Sequence, residues 1–391
     1  MSAPIIIIGS GFAAYQLIKT IRRTDQTIAI SVFTLDAGDD YNKPDLSHVF
    51  TNGQSSADLI RLTGEAFATE FNVDLHAFTE VEQINFEHQE ILVAGVTYPY
   101  SKLVLATGAR AFIPTMLGDA TDKVITLNSL REFESAQQQL QQAQRILVIG
   151  AGLIGTEIAM DLSSSGKKVL VVDPSKGLMA NMLPDLVANQ LRNKMTDAGV
   201  VFELGKTVHS LNNCLSDKKA LNTSETGICV TLSSGETQIV DCVISAAGLK
   251  ANTGLARKSG INVNNGLVVN LQLQTSVNNI YALGDCAEIS GKVMSYLQPI
   301  MLSANALAKT LLGQATEVTL PAMLVKVKTP KMPMQLGGNM VNGVTSWQAD
   351  IDTEGCSVKA YNEDKKMVGF IVTEGHMKKA FPLLRELPAA L

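Results

Sequence analysis

No stretch of this 391-residue sequence approaches the 18 or more consecutive apolar residues that a membrane-spanning helix needs. No basic leader precedes the apolar run near the N-terminus, so a secretory signal is not expected. Cysteine is scarce: Cys214, Cys229, Cys242, Cys286 and Cys356 are scattered, odd in number and without metal-ligand spacing. That argues against a disulfide framework and a cysteine metal site, and it fits a reducing cytoplasm. Positive charge is in deficit, with a net charge of −5, which argues against a nucleic-acid partner. Apolar residues are not in short supply. At 46% apolar and 18% charged, the chain reads as globular rather than disordered. Its length implies two or three domains.

What is present begins with glycine. Gly9-Ser10-Gly11-Phe12-Ala13-Ala14 follows the apolar run from Pro4 to Ile8. Gly150-Ala151-Gly152-Leu153-Ile154-Gly155 follows Arg145 to Ile149, and the two loops lie 141 positions apart. Each stands between a strand-like run and a helix-like run. In such a loop the first glycine permits the turn, and the second lets backbone approach a pyrophosphate. The third position must be small so that helix packs on strand. Ala14 fills that place in the first loop. The helix N-terminus then offers unpaired N–H groups to the phosphates. Asp36 closes the next strand-like run 25 residues beyond Gly11, and Asp173 closes its counterpart 21 residues beyond Gly152. A carboxylate there accepts from a ribose 2′-OH and repels a 2′-phosphate. The second site is therefore expected to favour NADH over NADPH, although Lys176, three residues beyond Asp173, places a positive charge close by.

Further along, Lys102 to Ala109 runs from a strand into a small-residue turn, and Val243 to Gly248 repeats the pattern. The two units read as internal homologues. Gly284-Asp285 follows another strand and is read as a helix start, with a helix from Gln298 to Leu312. The expected domains are 1–112 with 241–320, discontinuous; 113–240; and a small α+β domain over 321–391. That last stretch shows strand-like runs at 323–328, 344–351, 357–361 and 367–373, then an amphipathic helix from Met377 to Leu387. From Thr319 onward nine Lys and Arg face seven Asp and Glu, so this tail carries +2 in an acidic chain. It is a candidate for steering an acidic partner.

These motifs together resemble the pyridine-nucleotide–disulfide oxidoreductase superfamily of FAD flavoproteins. Tyr41-Asn42-Lys43-Pro44-Asp45-Leu46-Ser47, the Gly-Asp-Cys-Ala-Glu run at 284–288 and Val327-Lys328-Thr329-Pro330 are most similar to rubredoxin–NAD reductases. The wording from Tyr41 to His48 is closest to the reductases that serve flavorubredoxin in nitric oxide detoxification. The resemblance implies an α/β fold with two Rossmann-like, three-layer ββα domains plus the small C-terminal domain. It implies bound FAD, held by Gly9, Gly11, Ala14 and Asp36, with Asp285 on the ribityl chain near a helix start and Lys43 beside the ring. Thr107, Gly108, Gly248 and Gly284 are the other cofactor positions expected. Gly150, Gly152, Gly155 and Asp173 would hold NADH, and Glu157 would orient its nicotinamide. Lys43 and Glu157 are the catalytic candidates; no metal ligand is expected.

Departures from the family sharpen the reading. Its disulfide reductases need a C-x4-C or C-x-x-C pair, and no pair here has either spacing. The NADH oxidase and peroxidase branch has a redox cysteine after Leu-Ser, where this chain has His48. Cys286 reads as packing. The resemblance therefore implies hydride transfer from NADH to flavin, then single-electron release to a small acidic carrier, rubredoxin or flavorubredoxin. Two alternatives stay open: a ferredoxin reductase of an oxygenase system, and a flavin-binding, NADH-responsive redox sensor. The short tail favours a monomer.

Overall fold

The computed structural model describes residues 3–214 and 227–391. The chain divides into two compact units: Met1–Lys43, Ala57–Arg110 and Leu249–Leu320 form the first, and Pro44–Ser56, Ala111–Gly248 and Pro321–Leu391 the second.

Four consecutive isoleucines, Ile5–Ile8, are buried on both faces, as a central parallel strand requires. They pair in parallel with Ile30–Phe33 on one side and Lys102–Leu105 on the other. Ile280–Ala282 and Asp74–His76 form the two edges of this five-stranded sheet. The helix Phe12–Thr24 buries Ala13, Ala14, Leu17, Ile18 and Ile21, one face at helical spacing. Helix Leu297–Leu311 lies against it, with Thr20 Oγ1 3.3 Å from Asn305 Oδ1. An antiparallel sheet of Gln83–Asn85, Glu90–Val93 and Val96–Pro99 completes the Rossmann-like set of parts.

The second unit repeats the plan. Arg145–Ile149 pairs in parallel with Lys168–Asp173 and with Cys242–Ser245, and Val124–Ile125 and Val200–Leu204 are the edges. Val208–Asn213, Ile228–Leu232 and Thr237–Val240 form its antiparallel sheet. An apolar core of Leu147, Leu170, Leu211, Val230 and Val243 joins the two sheets.

Two boundaries differ from the expected ones. The first unit resumes at Leu249 rather than near 241, because Cys242–Ser245 hydrogen-bonds to the strand before the second loop. Residues Pro44–Ser56 also group with the second unit. Their backbone is held by Asp161, whose carboxylate accepts from Phe50 N–H (2.8 Å) and Thr51 N–H (3.2 Å).

The C-terminal stretch builds its own antiparallel sheet, ordered 324–327, 334–338, 367–373, 355–361, 346–352. Met334–Gly338 is a strand that the sequence reading did not anticipate. The closing helix is shorter than expected, a 3-10 turn Glu374–Lys379 leading into Ala380–Glu386. Phe370, Val372, Ala380 and Leu383 form a core under it. Among the described residues no helix is long and apolar enough to cross a membrane.

Candidate functional site

In the first loop, Gly9 has φ +112°, and a Cβ there would stand 2.3 Å from the Ala106 carbonyl oxygen. The turn and the close approach both require glycine. Gly11 is the N-cap of Phe12–Thr24, which has neither a side-chain cap nor an acid in its first turn. No atom lies within 4 Å of where a Gly11 Cβ would stand. The first amides of the helix therefore face open space of the kind a pyrophosphate needs. Ala14 is fully buried. Ser10 Oγ lies 2.7 Å from Thr34 Oγ1, and Thr34 Oγ1 accepts from Asp36 N–H at 3.3 Å. The loop and the end of the second strand are thus tied through Thr34, which sequence reading passed over.

The second loop has nearly the same geometry. Gly150 has φ +109°, and its Cβ would stand 2.5 Å from the Ala246 oxygen. Gly152 is the uncapped N-cap of Leu153–Ser164, again with nothing within 4 Å of a Cβ position. A Cβ on Gly155 would stand 2.0 Å from the Gly150 oxygen, so here the third small residue must be glycine. Asp173 accepts from Ala151 N–H and Ser175 N–H, both at 2.7 Å. The carboxylate is therefore fixed against the loop itself. Both loops fit a dinucleotide.

The turn after Lys102–Leu105 is locked by Asn252. Its side chain donates to the Thr107 carbonyl (2.8 Å), its N–H donates to the Gly108 carbonyl (2.9 Å), and Thr107 Oγ1 donates to its carbonyl (2.9 Å). Gly108 has φ +64° and Gly248 φ +108°, each with open space at its Cβ position.

Gly284-Asp285 is not a helix start in sequence. The strand Ala287–Ile289 follows it, and the helix begins at Leu297. The relevant helix is a different one: a Gly284 Cβ would stand 2.7 Å from Ala13 Cβ, in the first turn of Phe12–Thr24. Asp285 pairs with Lys43, whose Nζ lies 3.7 Å from its Oδ2. Cys286 is sealed in the core, its thiol donating to the carbonyls of Leu105 and Leu283. Burial pushes that thiol above its ordinary pKa, so it is no thiolate.

Glu157, on the helix Leu153–Ser164, is 5% exposed. Ser47 Oγ donates to its Oε2 (3.0 Å) and Lys328 N–H to its Oε1 (2.8 Å). Lys328 Nζ in turn donates to the Pro44 carbonyl (3.1 Å) and lies 3.6 Å from Asp45 Oδ1. Within the second unit, three stretches singled out separately in the sequence therefore meet: Pro44–His48, the helix after the second loop, and Lys328-Thr329. Ser47 lay in a run already singled out but was given no role, and Asp161 was missed, with nothing in its local sequence to mark it. Among the described residues no group of three or more His, Cys, Asp or Glu is placed to hold a metal.

Residues 3–309 match a family described as pyridine nucleotide-disulphide oxidoreductase, and residues 317–387 match a rubredoxin binding C-terminal domain. A protein of Aliivibrio fischeri named nitric oxide reductase FlRd-NAD(+) reductase is 54% identical over 99% of both chains. One of the same name from Shigella dysenteriae is 43% identical over 99% of this chain and all of that one. Among solved structures, a ferredoxin reductase of Rhodopseudomonas palustris superposes with a TM-score of 0.86 at 23% identity, covering 99% of this chain and 96% of that one. A putidaredoxin reductase in covalent complex with putidaredoxin gives 0.85 at 22%, covering 99% and 94%. At such identities these two speak to the fold alone.

Proposed function

The chain belongs to the pyridine nucleotide–disulphide oxidoreductase family, and we propose that it is an NADH-dependent FAD reductase that passes electrons to the rubredoxin-type iron centre of a flavorubredoxin, in nitric oxide detoxification. One observation carries this reading. The segment matching a rubredoxin-binding domain hydrogen-bonds, through Lys328, to the carboxylate on the helix of the second dinucleotide loop. The full-length relatives named FlRd-NAD(+) reductase support the same partner.

A bound FAD would supply the conversion between a two-electron hydride donor and a one-electron acceptor. The chain's own contribution is placement. Gly9, Gly11, Ala14 and Asp36 would hold the ADP half of FAD; Thr107, Gly108, Gly284 and Asp285 would border the rest, with Lys43 supplying positive charge. Gly150, Gly152, Gly155 and Asp173 would hold the ADP half of NADH, with Gly248 beside it. Glu157 would orient the carboxamide, and its two hydrogen bonds leave it little freedom to move away. The hydrogen delivered as hydride would leave as a proton once both electrons have gone to the acceptor. With Cys286 sealed and no cysteine pair beside it, electrons have no protein sulfur to enter and must leave the chain.

We further place the protein in the cytoplasm, acting as a monomer. Five cysteines, none of them in a disulfide, fit a reducing compartment. The decisive experiment is stopped-flow mixing of the NADH-reduced protein with the iron-loaded rubredoxin domain of a flavorubredoxin. Rapid loss of the iron(III) colour is expected. Reduction of a [2Fe–2S] ferredoxin instead would replace this reading with the oxygenase-system alternative. Reduction of neither, with an NADH-dependent change in size, would favour the redox sensor.

A further inference from the structure

In the first unit, two strand ends are tied together where the acid of the first loop stands. Phe33 pairs with His76, and their rings stack at 4.2 Å. Beyond them Thr34 N–H donates to the His76 carbonyl (3.1 Å) and Thr79 N–H to the Thr34 carbonyl (2.7 Å). Phe78 N–H donates to the Asp36 carbonyl (3.1 Å). Asp36 is thus bracketed by two large apolar residues, Leu35 before it in sequence and Phe78 across that last bond.

Neither residue packs into the core. Leu35 is 58% exposed and Phe78 75%, and no large apolar side chain among the described residues is more exposed than Phe78. Phe78 also has φ +53°, a left-handed conformation that a bulky residue adopts only at a cost. Exposure and strain both work against the ligand-free fold. A strained, exposed aromatic held beside a nucleotide-binding acid points to a ligand that covers it.

The second unit keeps the backbone plan and lacks the apolar pair. There the Asp173 carbonyl accepts from Lys206 N–H (3.2 Å), as Asp36 does from Phe78. Val172, before the acid, is 1% exposed. The Lys206 ammonium lies 2.8 Å from Glu203 and 2.5 Å from Glu236. The surroundings of Asp173 are therefore charged and hydrated where those of Asp36 are apolar.

Resting on the function proposed above, we infer that Leu35 and Phe78 form an apolar clamp for the adenine of FAD. The clamp, absent from the second site, makes the first dinucleotide a retained group and leaves the second free to exchange. An adenine held there removes two apolar side chains from water and gives the Phe78 ring a stacking partner. Release of the dinucleotide must undo both. NADH, bound beside Lys206, meets no such barrier and can leave after each hydride transfer.

The test measures FAD binding to the FAD-stripped protein by calorimetry, and FAD release from the loaded protein by flavin fluorescence after dilution. Phe78→Asn should weaken FAD about tenfold and speed its release by a similar factor, since stacking on an aromatic is lost. Leu35→Ser should weaken it about threefold, and Phe78→Tyr, which keeps a ring, should match the parent. NAD+ affinity of the FAD-loaded variants should not change. FAD-free Phe78→Asn should melt no lower than the parent, because asparagine tolerates the left-handed φ. Parent-like FAD affinity in Phe78→Asn combined with Leu35→Ser overturns the clamp, as does a Phe78→Tyr variant as weak as Phe78→Asn. An equal loss of NAD+ affinity, or a lower melting temperature of FAD-free Phe78→Asn, makes Phe78 a structural residue and also overturns it. Failure of the parent protein to bind FAD overturns the functional reading itself, and this inference with it.

Discussion

Lys43 Nζ lies 3.7 Å from Asp285 Oδ2, so the two charged residues proposed for the flavin pocket balance one another. The Lys43 side chain is about one-third exposed and Asp285 less so, which keeps part of the ammonium's field for the pocket. Replacing Lys43 with Met should leave FAD bound but make its two-electron potential more negative. A fall of about 30 mV corresponds to about 1.4 kcal/mol. Potentiometric titration reads this directly; an unchanged potential would remove Lys43 from the pocket.

The loop glycines separate folding from binding. Gly9→Ala places a methyl 2.3 Å from a backbone oxygen at a left-handed φ, so it should lower the melting temperature or prevent folding. Gly11→Ala meets nothing within 4 Å, so the FAD-free protein should melt as the parent does. Its FAD dissociation constant should rise about tenfold or more, since the methyl occupies the pyrophosphate's space. Equal FAD affinity in Gly11→Ala would mean the pyrophosphate lies elsewhere.

Gly152→Ala and Asp173→Ala should spare the yellow colour and damage nucleotide use. Asp173 holds the loop through Ala151 N–H as well as standing where the proposed NADH site would place a ribose. Its replacement should therefore cost NADH about tenfold in kcat/KM while NADPH loses less. Steady-state kinetics with both nucleotides checks the asymmetry. Parallel losses would show that Asp173 shapes the loop without reading the ribose.

Acid should loosen the outer edge of the C-terminal sheet. The hydrogen bond from His376 holds Asp352 below its ordinary pKa, and that from Lys379 does the same for Asp350. A carboxylate whose pKa is depressed by folding stabilises the fold above its unfolded value of about 3.9 and loses that contribution as pH falls below it. The chain's single tryptophan, Trp347, sits on this same strand. Its fluorescence should change below about pH 4, and Asp352→Asn should abolish most of the change. A transition confined to near-neutral pH would point to a different group.

The two loops were legible because steric demand writes itself as glycine at fixed spacing. Gly9, Gly150 and Gly155 each answer a backbone oxygen closer than 3 Å to a would-be Cβ. The strand Met334–Gly338 was illegible for a related reason. A Gly337-Gly338 pair is poor strand sequence, yet a Cβ on Gly337 would stand 2.8 Å from the Phe370 ring. The boundary near 241 was misplaced although its repeat was recognised. Lys102–Leu105 lies beside the first loop's strand and Cys242–Ser245 beside the second's, so the repeat itself assigns each to its own sheet. The bond from Lys328 to Glu157 was beyond reach, because a backbone N–H donor leaves no mark in residue identity and the two lie 171 positions apart.

Cys286 is the sole cysteine of the first unit, and it has no access to solvent. Oxidants and electrophiles that cap exposed thiolates find nothing to attack in that half of the chain. Thiol chemistry therefore offers no switch with which to silence the first unit.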